Sequence, residues 1–287
     1  MDAVLARLPA AGSRPEVACR MAGDAFVLLE YGPLAFDLTL NLYARGVAGS
    51  IEAARIPGVT DLAPGVRSLL VGFDPHVTEL TDLVDRLIGL HVDSGPETVT
   101  RTGRRITLPL AFDDSSTREA ITRHRSTGAT EGYTASSDID DIVAASGLGS
   151  PADVLAAATG QRWCVAFIGY FPGLPFLLPM DGAPVLRVPK LDRLRAWTAE
   201  GAVSLGGACV AIFPVEAPGS YRVFGRTVPI YAWGSAIDAF DGDRMLLRAG
   251  DVVRFVAVEE DELTEARRQA YENRYDYLIE EPIGPPS

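Results

Sequence analysis

Glycine and proline punctuate residues 198–229 so regularly that this stretch is typical of short β-strands joined by tight turns. Val210, Ile212 and Phe213 mark one apolar strand, and a second strand follows at residues 221–224. The stretch therefore predicts a β-structure rich in corners, around which the rest of the chain is arranged.

The same stretch contains candidate functional residues. Gly206 and Gly207 can adopt positive φ and bring their backbone amides close to a ligand or to another strand. Arg226 follows Gly225, and a planar guanidinium in such a place suits a carboxylate or a carbonyl oxygen. Glu216 lies in a proline-rich turn. A glycine-rich barrel corner with a surface arginine also fits this pattern, and Glu216 also fits a turn residue bonded to nearby backbone amides.

An aromatic loop follows an uninterrupted apolar run at residues 164–168, which predicts a buried strand. The loop, residues 169–176, holds two glycines, two prolines and three aromatic residues, a composition suited to a stiff rim over a flat polar ligand. Its candidate substrate-binding residues are Tyr170, Phe171, Pro172 and Phe176. Alternatively, the aromatic side chains plug the mouth of a barrel.

The rest of the chain indicates two domains. Residues 1–22 are interpreted as a flexible tail, and residues 23–95 as a small α+β domain of the split βαβ type. Strands are predicted at 26–31, 58–64 and 68–72, and helices at 34–48 and 77–91. A polar stretch at 96–105 marks the domain boundary, and residues 106–287 form the second domain.

Composition excludes several classes of protein. A chain of 287 residues with 47% hydrophobic residues is long enough for two modest domains. Its net charge of −12, without an extended basic block, argues against a nucleic-acid partner. The three cysteines and three histidines are scattered without ligand spacing, so no metal site is predicted. Since no apolar run is long enough to span a membrane, the expected location is the cytoplasm.

Several motifs resemble one family. Residues 198–229 resemble the proteins called allophanate hydrolase subunit 1, the B-type subunit of 5-oxoprolinase, or sporulation-kinase inhibitors. Residues 108–115 and the Arg-Ala-Trp-Thr run at 195–198 look most like the C-terminal half of the carboxyltransferase domain of urea carboxylase. The resemblance extends over about residues 26–281 and implies a mixed α/β protein with a cyclophilin-like β-barrel after the α+β domain.

The resemblance implies a subunit of a biotin-dependent carboxyltransferase. Carboxybiotin on a separate carrier protein would give its carboxyl group to a nitrogen of a small urea-like, amide or guanidinium compound. The implied partners are a homologous subunit-2-type half, biotin carboxylase and the biotin carrier protein, and ATP would act only through partner subunits. Gly206 and Gly207 would then supply amides, Arg195 or Arg226 positive charge, and Glu216 the group that orients the acceptor.

Two alternatives remain open within the same family. One is a subunit of an ATP-dependent 5-oxoprolinase, and the other is a non-catalytic binding protein similar to the histidine-kinase inhibitors. Urea carboxylases carry an aspartate where this chain has Tyr170, and the loop here resembles the 5-oxoprolinase branch. A phenol offers one oxygen and no charge at neutral pH, so the loop predicts an acceptor that is larger or more apolar than urea.

Overall fold

A computed structural model describes residues 4–93, 103–128, 137–181, 186–233, 237–240 and 242–281. The chain divides into two compact units, Met1–Arg101 and Thr102–Ser287. Each unit has its own hydrophobic core.

The N-terminal unit is a five-stranded antiparallel sheet with two helices. Its sheet has the order β1-β2-β3-β5-β4. Because β3 and β4 are both antiparallel to β5, which lies between them, β3-α1-β4 is a split βαβ unit, as predicted. The elements are β1 (Val4–Leu8), β2 (Val17–Met21), β3 (Phe26–Tyr31), α1 (Leu38–Ala54), β4 (Val59–Pro64), β5 (Ser68–Phe73) and α2 (Leu80–Asp93).

Two of these strands lie where the sequence predicted a flexible tail, so that prediction is wrong for β1 and β2. The β2 side chains Val17 and Cys19 are fully buried in the core of this unit, and β2 pairs with β3 along its whole length. The two strands were missed because each has only five residues and carries an arginine, so neither forms an apolar run.

The first helix begins four residues later than predicted. Asp37 is its N-cap, and the Asp37 carboxylate accepts a hydrogen bond from the backbone N–H of Thr39 at 2.8 Å. Leu34, which the sequence placed on the apolar face of the helix, is 91% exposed. The capping aspartate therefore decides the helix start, and the apolar spacing does not.

The C-terminal unit is a closed barrel of seven strands with helices and a small extra sheet. Its elements are β6 (Arg105–Phe112), α3 (Ser115–Ser126), α4 (Asp138–Ser146), α5 (Pro151–Thr159), β7 (Arg162–Ile168), β8 (Pro175–Pro179), β9 (Arg195–Thr198), β10 (Ala202–Gly206), β11 (Cys209–Ile212), β12 (Ala217–Gly219), β13 (Arg222–Arg226), β14 (Val252–Val258), α6 (Glu260–Tyr271) and β15 (Leu278–Glu280). A 3-10 turn covers Asp238–Phe240.

The barrel follows the order β13-β10-β11-β8-β7-β14-β6 and closes where β13 pairs with β6. The β14–β6 pair is parallel, and the other neighbours are antiparallel. Closure depends on Gly225, because a Cβ at this position would lie 2.5 Å from the Ala111 carbonyl oxygen. The predicted mixed α/β protein with a β-barrel is therefore confirmed.

Alternate side chains of the barrel strands fill its interior. Val253 and Phe255 of β14 point inward with Leu108 and Leu110 of β6, while Arg254 between them is exposed. The apolar residues of α4 and α5 pack against the same core. Among the residues that the structure describes, no single helix is long and apolar enough to cross a membrane; only the bent pair α4–α5 passes the same test of length and composition.

Candidate functional site

Two concave surfaces lie on either side of the proline-rich turn at residues 213–219. One is an apolar pocket of about 230 Å³, here called the aromatic pocket, lined mainly by Tyr170, Phe171, Phe176, Lys190, Phe213 and Tyr221. The other is a more open groove of about 730 Å³, here called the arginine groove, lined mainly by Glu200, Glu216, Arg226, Trp233, Arg267 and Tyr271. The predicted site residues are divided between these two surfaces and the barrel wall.

The loop after β7 forms the rim of the aromatic pocket. The Gly169 N–H donates to the Leu174 carbonyl at 3.0 Å, which closes the loop into a tight turn. Tyr170 has a φ of 66°, in the left-handed region, and its side chain is 78% exposed. The loop therefore holds a large aromatic ring in solvent on a strained backbone, an arrangement that packing alone does not explain.

The two phenylalanines of the loop line the aromatic pocket. The Phe176 ring stacks on Phe167 at 4.5 Å between centroids and meets Tyr221 edge-on at 6.0 Å. Phe171 is half-buried against Leu174 and Tyr221. Pro172, by contrast, is exposed and lies outside the pocket lining.

Lys190 gives the aromatic pocket a positive charge that was not predicted from the sequence. Its Nζ atom lies 5.1 Å from the centroid of the Tyr221 ring, within range of a cation–π contact. Lys190 is the only lysine in the sequence, and this scarcity was the signal that could have drawn attention to it. The pocket therefore combines an apolar lining with one cation at its edge.

Gly206 and Gly207 lie at a turn of the barrel wall, and the structure does not place them as a free amide pair. The Gly207 N–H donates to the Val188 carbonyl at 2.8 Å, and the Gly207 carbonyl accepts from the Val188 N–H at 2.9 Å. A Cβ on Gly206 would lie 2.5 Å from the Tyr221 ring. The two glycines therefore allow a tight turn and close packing, and the Gly207 amide has no free donor for a ligand.

Arg195 belongs to a buried ion cluster and lies outside both concave surfaces. Its side chain is 1% exposed and pairs with Asp138 at 2.5 Å. A second guanidinium, that of Arg222, pairs with Asp141 at 3.0 Å. Because Arg195 also donates to the Tyr221 carbonyl at 3.0 Å, it anchors the start of β13, and its charge is compensated within the chain.

Arg226 lines the arginine groove, and two hydrogen bonds fix its guanidinium. Its Nε atom donates to the Glu200 carbonyl at 2.8 Å, and its Nη1 atom donates to the Ser116 hydroxyl at 2.9 Å. Burial lowers the pKa of Arg226, and the neighbouring charge of Arg267 lowers it further. These bonds fix the position of the guanidinium, and its side chain remains 23% exposed to the groove.

Three residues near Arg226 in the groove were not predicted from the sequence. Arg267 of α6 forms an ion pair with Glu200 and donates to the Thr227 carbonyl at 2.6 Å. The Tyr271 hydroxyl donates to Glu200 Oε2 at 3.0 Å, and burial raises the pKa of Tyr271 to about 12, with the Glu200 charge adding to the effect. The sequence does not reveal these contacts, because they join Glu200 to residues that lie 67 and 71 positions away.

The charges of the groove do not cancel at its inner wall. Two guanidiniums face the single carboxylate of Glu200, whose Oε1 atom is buried without a hydrogen-bond partner among the described residues. Glu216 also lines the groove; it is exposed, and its side chain forms no hydrogen bond with the part of the chain that the structure describes. Trp233, 76% exposed, adds an apolar plane.

This arrangement suits a planar polar ligand with a carbonyl or carboxyl oxygen. Guanidiniums bind such oxygens through charge-assisted hydrogen bonds, while an exposed indole stacks on a flat ring. Within the described ranges, no group of three or more histidine, cysteine or acidic side chains could hold a metal ion. Cys19, Cys164 and Cys209 are all buried as free thiols.

Comparison with known proteins adds to this geometry. The chain is 27% identical to the urea amidolyase of Lachancea kluyveri over 98% of its own length and 16% of that relative. It is 25% identical to the B-type 5-oxoprolinase subunit of Bacillus subtilis, over 83% of its own length and 91% of that relative. The relatives include enzymes and enzyme subunits, and the chain spans about a sixth of the urea amidolyase.

The solved structures agree with the sequence comparison. The crystal structure of the Kluyveromyces lactis urea carboxylase matches 98% of this chain and 25% of its own, with a TM-score of 0.84 and 27% identity. The family profile described as "Carboxyltransferase domain, subdomain C and D" matches residues 17–237, more than half of the chain. The chain therefore belongs to the family of carboxyltransferase domains, subdomains C and D.

Proposed function

We propose that the chain is one half of a biotin-dependent carboxyltransferase that acts on a nitrogen of a small urea-like, amide or guanidinium compound. The observation that carries this proposal is the arginine groove, where Arg226 and Arg267 present two guanidiniums beside a buried carboxylate. The family assignment and the likeness to urea carboxylase support the same function.

The groove residues fit the cofactor that this function requires. Biotin carries the carboxyl group that is transferred, on a ureido ring that is flat and polar. Arg226 and Arg267 could donate hydrogen bonds to its oxygen atoms, and Trp233 could cover the ring face. The unpartnered Oε1 of Glu200 could accept from a ring N–H. Glu216, which also lines the groove, is the group proposed to orient the acceptor.

The aromatic pocket is the proposed site for the acceptor's body. Tyr170, Phe171 and Phe176 offer apolar surface, and Lys190 offers a charge to a carbonyl or carboxylate group. An acceptor with an apolar part fits this lining better than urea does, since urea has no apolar part to bury. The turn at residues 213–219 would then separate the acceptor's body from the reacting groups.

A second candidate function is that of a 5-oxoprolinase subunit. It is favoured by the match to the Bacillus subtilis subunit, which spans 91% of that protein. A compact lactam with a carboxylate also suits an apolar pocket with one lysine. In this function ATP would be consumed with the help of partner subunits.

One substitution tests the arginine groove. In a complex reconstituted with its partner half and a carboxylated carrier protein, Arg226→Gln should lower kcat/KM for carboxyl transfer by about 10²- to 10³-fold, because a fixed donor to the reacting oxygen is lost. Arg187→Gln, a change of an exposed arginine outside the groove in the same unit, should leave the rate unchanged. Full activity of the folded Arg226→Gln protein would refute the proposed role of the groove.

A further inference from the structure

A third concave surface lies on the outer face of the barrel, near the start of β6. It has a volume of about 410 Å³ and is here called the basic groove, lined mainly by Arg105, Thr107, Gln161, Arg162, Asp181 and Arg254. Ala111, which pairs with Arg226 of the arginine groove, lies six residues farther along β6 than Arg105. At about 3.3 Å per residue, the two grooves are roughly 20 Å apart along the strand.

Strand register brings the three arginines of this groove together. Arg254 of β14 is directly opposite Arg162 of β7, and it is opposite Thr107 of β6, two residues from Arg105. Since side chains alternate across a strand, Arg105, Arg162 and Arg254 all point outward. Like charges directly opposite on neighbouring strands destabilise a sheet, so this arrangement is unfavourable without a counterion.

The acids of the groove compensate only two of the three charges. Arg105 pairs with Glu280 at 2.8 Å, and Arg162 pairs with Asp181 at 2.6 Å. The Arg254 guanidinium forms no ion pair or side-chain hydrogen bond with any residue in the described ranges. The groove therefore holds one uncompensated positive charge in a protein whose net charge is −12.

A buried acceptor atom lies in the same groove. Gln161 is 2% exposed, and its Nε2 atom donates to the Ala157 carbonyl at 3.1 Å. Its Oε1 atom is buried and has no hydrogen-bond partner among the described residues. A buried acceptor left unpaired costs free energy, so a ligand that donates a hydrogen bond here would gain from it.

We propose that the basic groove binds a small anion that also carries a hydroxyl or amine donor. The anionic group, a phosphate or a carboxylate, pairs with Arg254 between Arg105 and Arg162, and the donor reaches Gln161 Oε1. The volume fits a small molecule, and the net negative charge of the whole protein disfavours a long acidic polymer. This site is separate from the proposed carboxyl transfer and does not depend on it.

The test is calorimetric titration of the full chain at low salt with α-glycerophosphate and with malate. These hydroxylated probes distinguish a phosphate from a carboxylate as the anion. We expect saturable one-to-one binding of at least one probe, weakened about tenfold or more by Arg254→Gln. Arg187→Gln is the matched control and should leave binding unchanged. No binding of either probe, or equal binding by Arg254→Gln, overturns the proposal.

A second comparison tests the donor. Propyl phosphate lacks the hydroxyls of α-glycerophosphate, so it should bind the unmodified protein more weakly if α-glycerophosphate binds. In Gln161→Leu the two phosphates should bind equally, with folding checked by thermal unfolding. A preference for α-glycerophosphate that survives in the folded Gln161→Leu protein contradicts the role of Gln161. The Arg254→Gln variant remains decisive if Gln161→Leu does not fold, because Arg254 is exposed and faces a like charge.

Discussion

Tyr170 is the residue at which we expect stability to be lost in favour of binding. Its left-handed φ of 66° favours glycine, and its 78% exposed ring contributes little packing. Replacing it with glycine should raise the free energy of unfolding by about 0.5–1 kcal/mol, because strain is relieved. The same change should weaken binding of apolar acceptors in the reconstituted complex. Chemical denaturation and acceptor kinetics measure the two effects, and a destabilised Tyr170→Gly protein would show that the ring has a structural role.

His91 is a residue whose protonation opposes folding. It is fully buried, with its Nδ1 atom 3.0 Å from the Tyr43 hydroxyl, and its ring stacks on Tyr31. Burial, and to a smaller extent the charge of Arg14, lowers the pKa of His91 to about 4. The unfolded chain therefore binds a proton near its ordinary pKa of about 6.5, while the folded protein does not.

The N-terminal unit should therefore lose stability as the pH falls from about 6.5 to 4, by up to roughly 3 kcal/mol from this group alone. Guanidinium unfolding followed by tyrosine circular dichroism measures the loss. His91→Gln should remove this part of the pH dependence, whereas His76→Gln, at an exposed histidine in the same unit, should retain it. An NMR titration that gives His91 an ordinary pKa would contradict the argument.

At the scale of elements, closure of the barrel depends on the contact between β13 and β6. Gly225→Ala would place a Cβ 2.5 Å from the Ala111 carbonyl oxygen and 2.8 Å from a Leu110 methyl group. We expect a loss of about 1–3 kcal/mol, because backbone must move apart to make room. Gly169→Ala, which meets only ordinary contacts at 3.6 Å, is the matched control. Denaturation followed by the fluorescence of buried Trp163 measures the stability of both variants. If Gly225→Ala were as stable as Gly169→Ala, closure of the barrel would not depend on Gly225.

The sequence predicted the elements that form apolar runs and missed those that depend on distant partners. Strand β3 and the centre of β7 are apolar runs and were found, while β1 and β2 were missed because each is short and carries an arginine. In the site, Arg226, Glu216 and the loop aromatics were placed on concave surfaces. Glu200 and Arg267 were missed, since their ion pair joins a turn to a helix 67 residues away.

Arg195, Gly206 and Gly207 were predicted to contact a ligand, but they lie in the barrel wall or in a buried ion cluster. Local sequence indicates that a glycine pair can expose amides and that an arginine can offer charge, but it does not show which partners the fold supplies. The Val188 carbonyl accepts the hydrogen bond of the Gly207 amide, and Asp138 forms an ion pair with the Arg195 guanidinium. Both partners come from other segments of the chain; Asp138 lies 57 residues from Arg195 in the sequence.

For the whole molecule, charged and apolar side chains meet on one exposed surface of the C-terminal unit. The arginine groove holds an exposed tryptophan, Trp233, and an exposed acid, Glu216, on a surface that the described residues leave open. The urea amidolyase relative is about six times longer than the part that this chain matches. A second segment that covers the groove would exclude water and strengthen the electrostatic contacts within it.

We therefore predict that the isolated chain has no carboxyl-transfer turnover and forms a stable complex with a homologous second half. Binding of that half should bury Trp233 and shift its fluorescence to shorter wavelength, because the indole leaves water. Trp233→Phe should abolish the shift, while the other two tryptophans provide the unchanged background. Titration by fluorescence, with turnover assayed before and after mixing, measures both effects. Robust transfer by the chain alone, or a complex in which the Trp233 emission is unchanged, would show that the groove is complete without a partner.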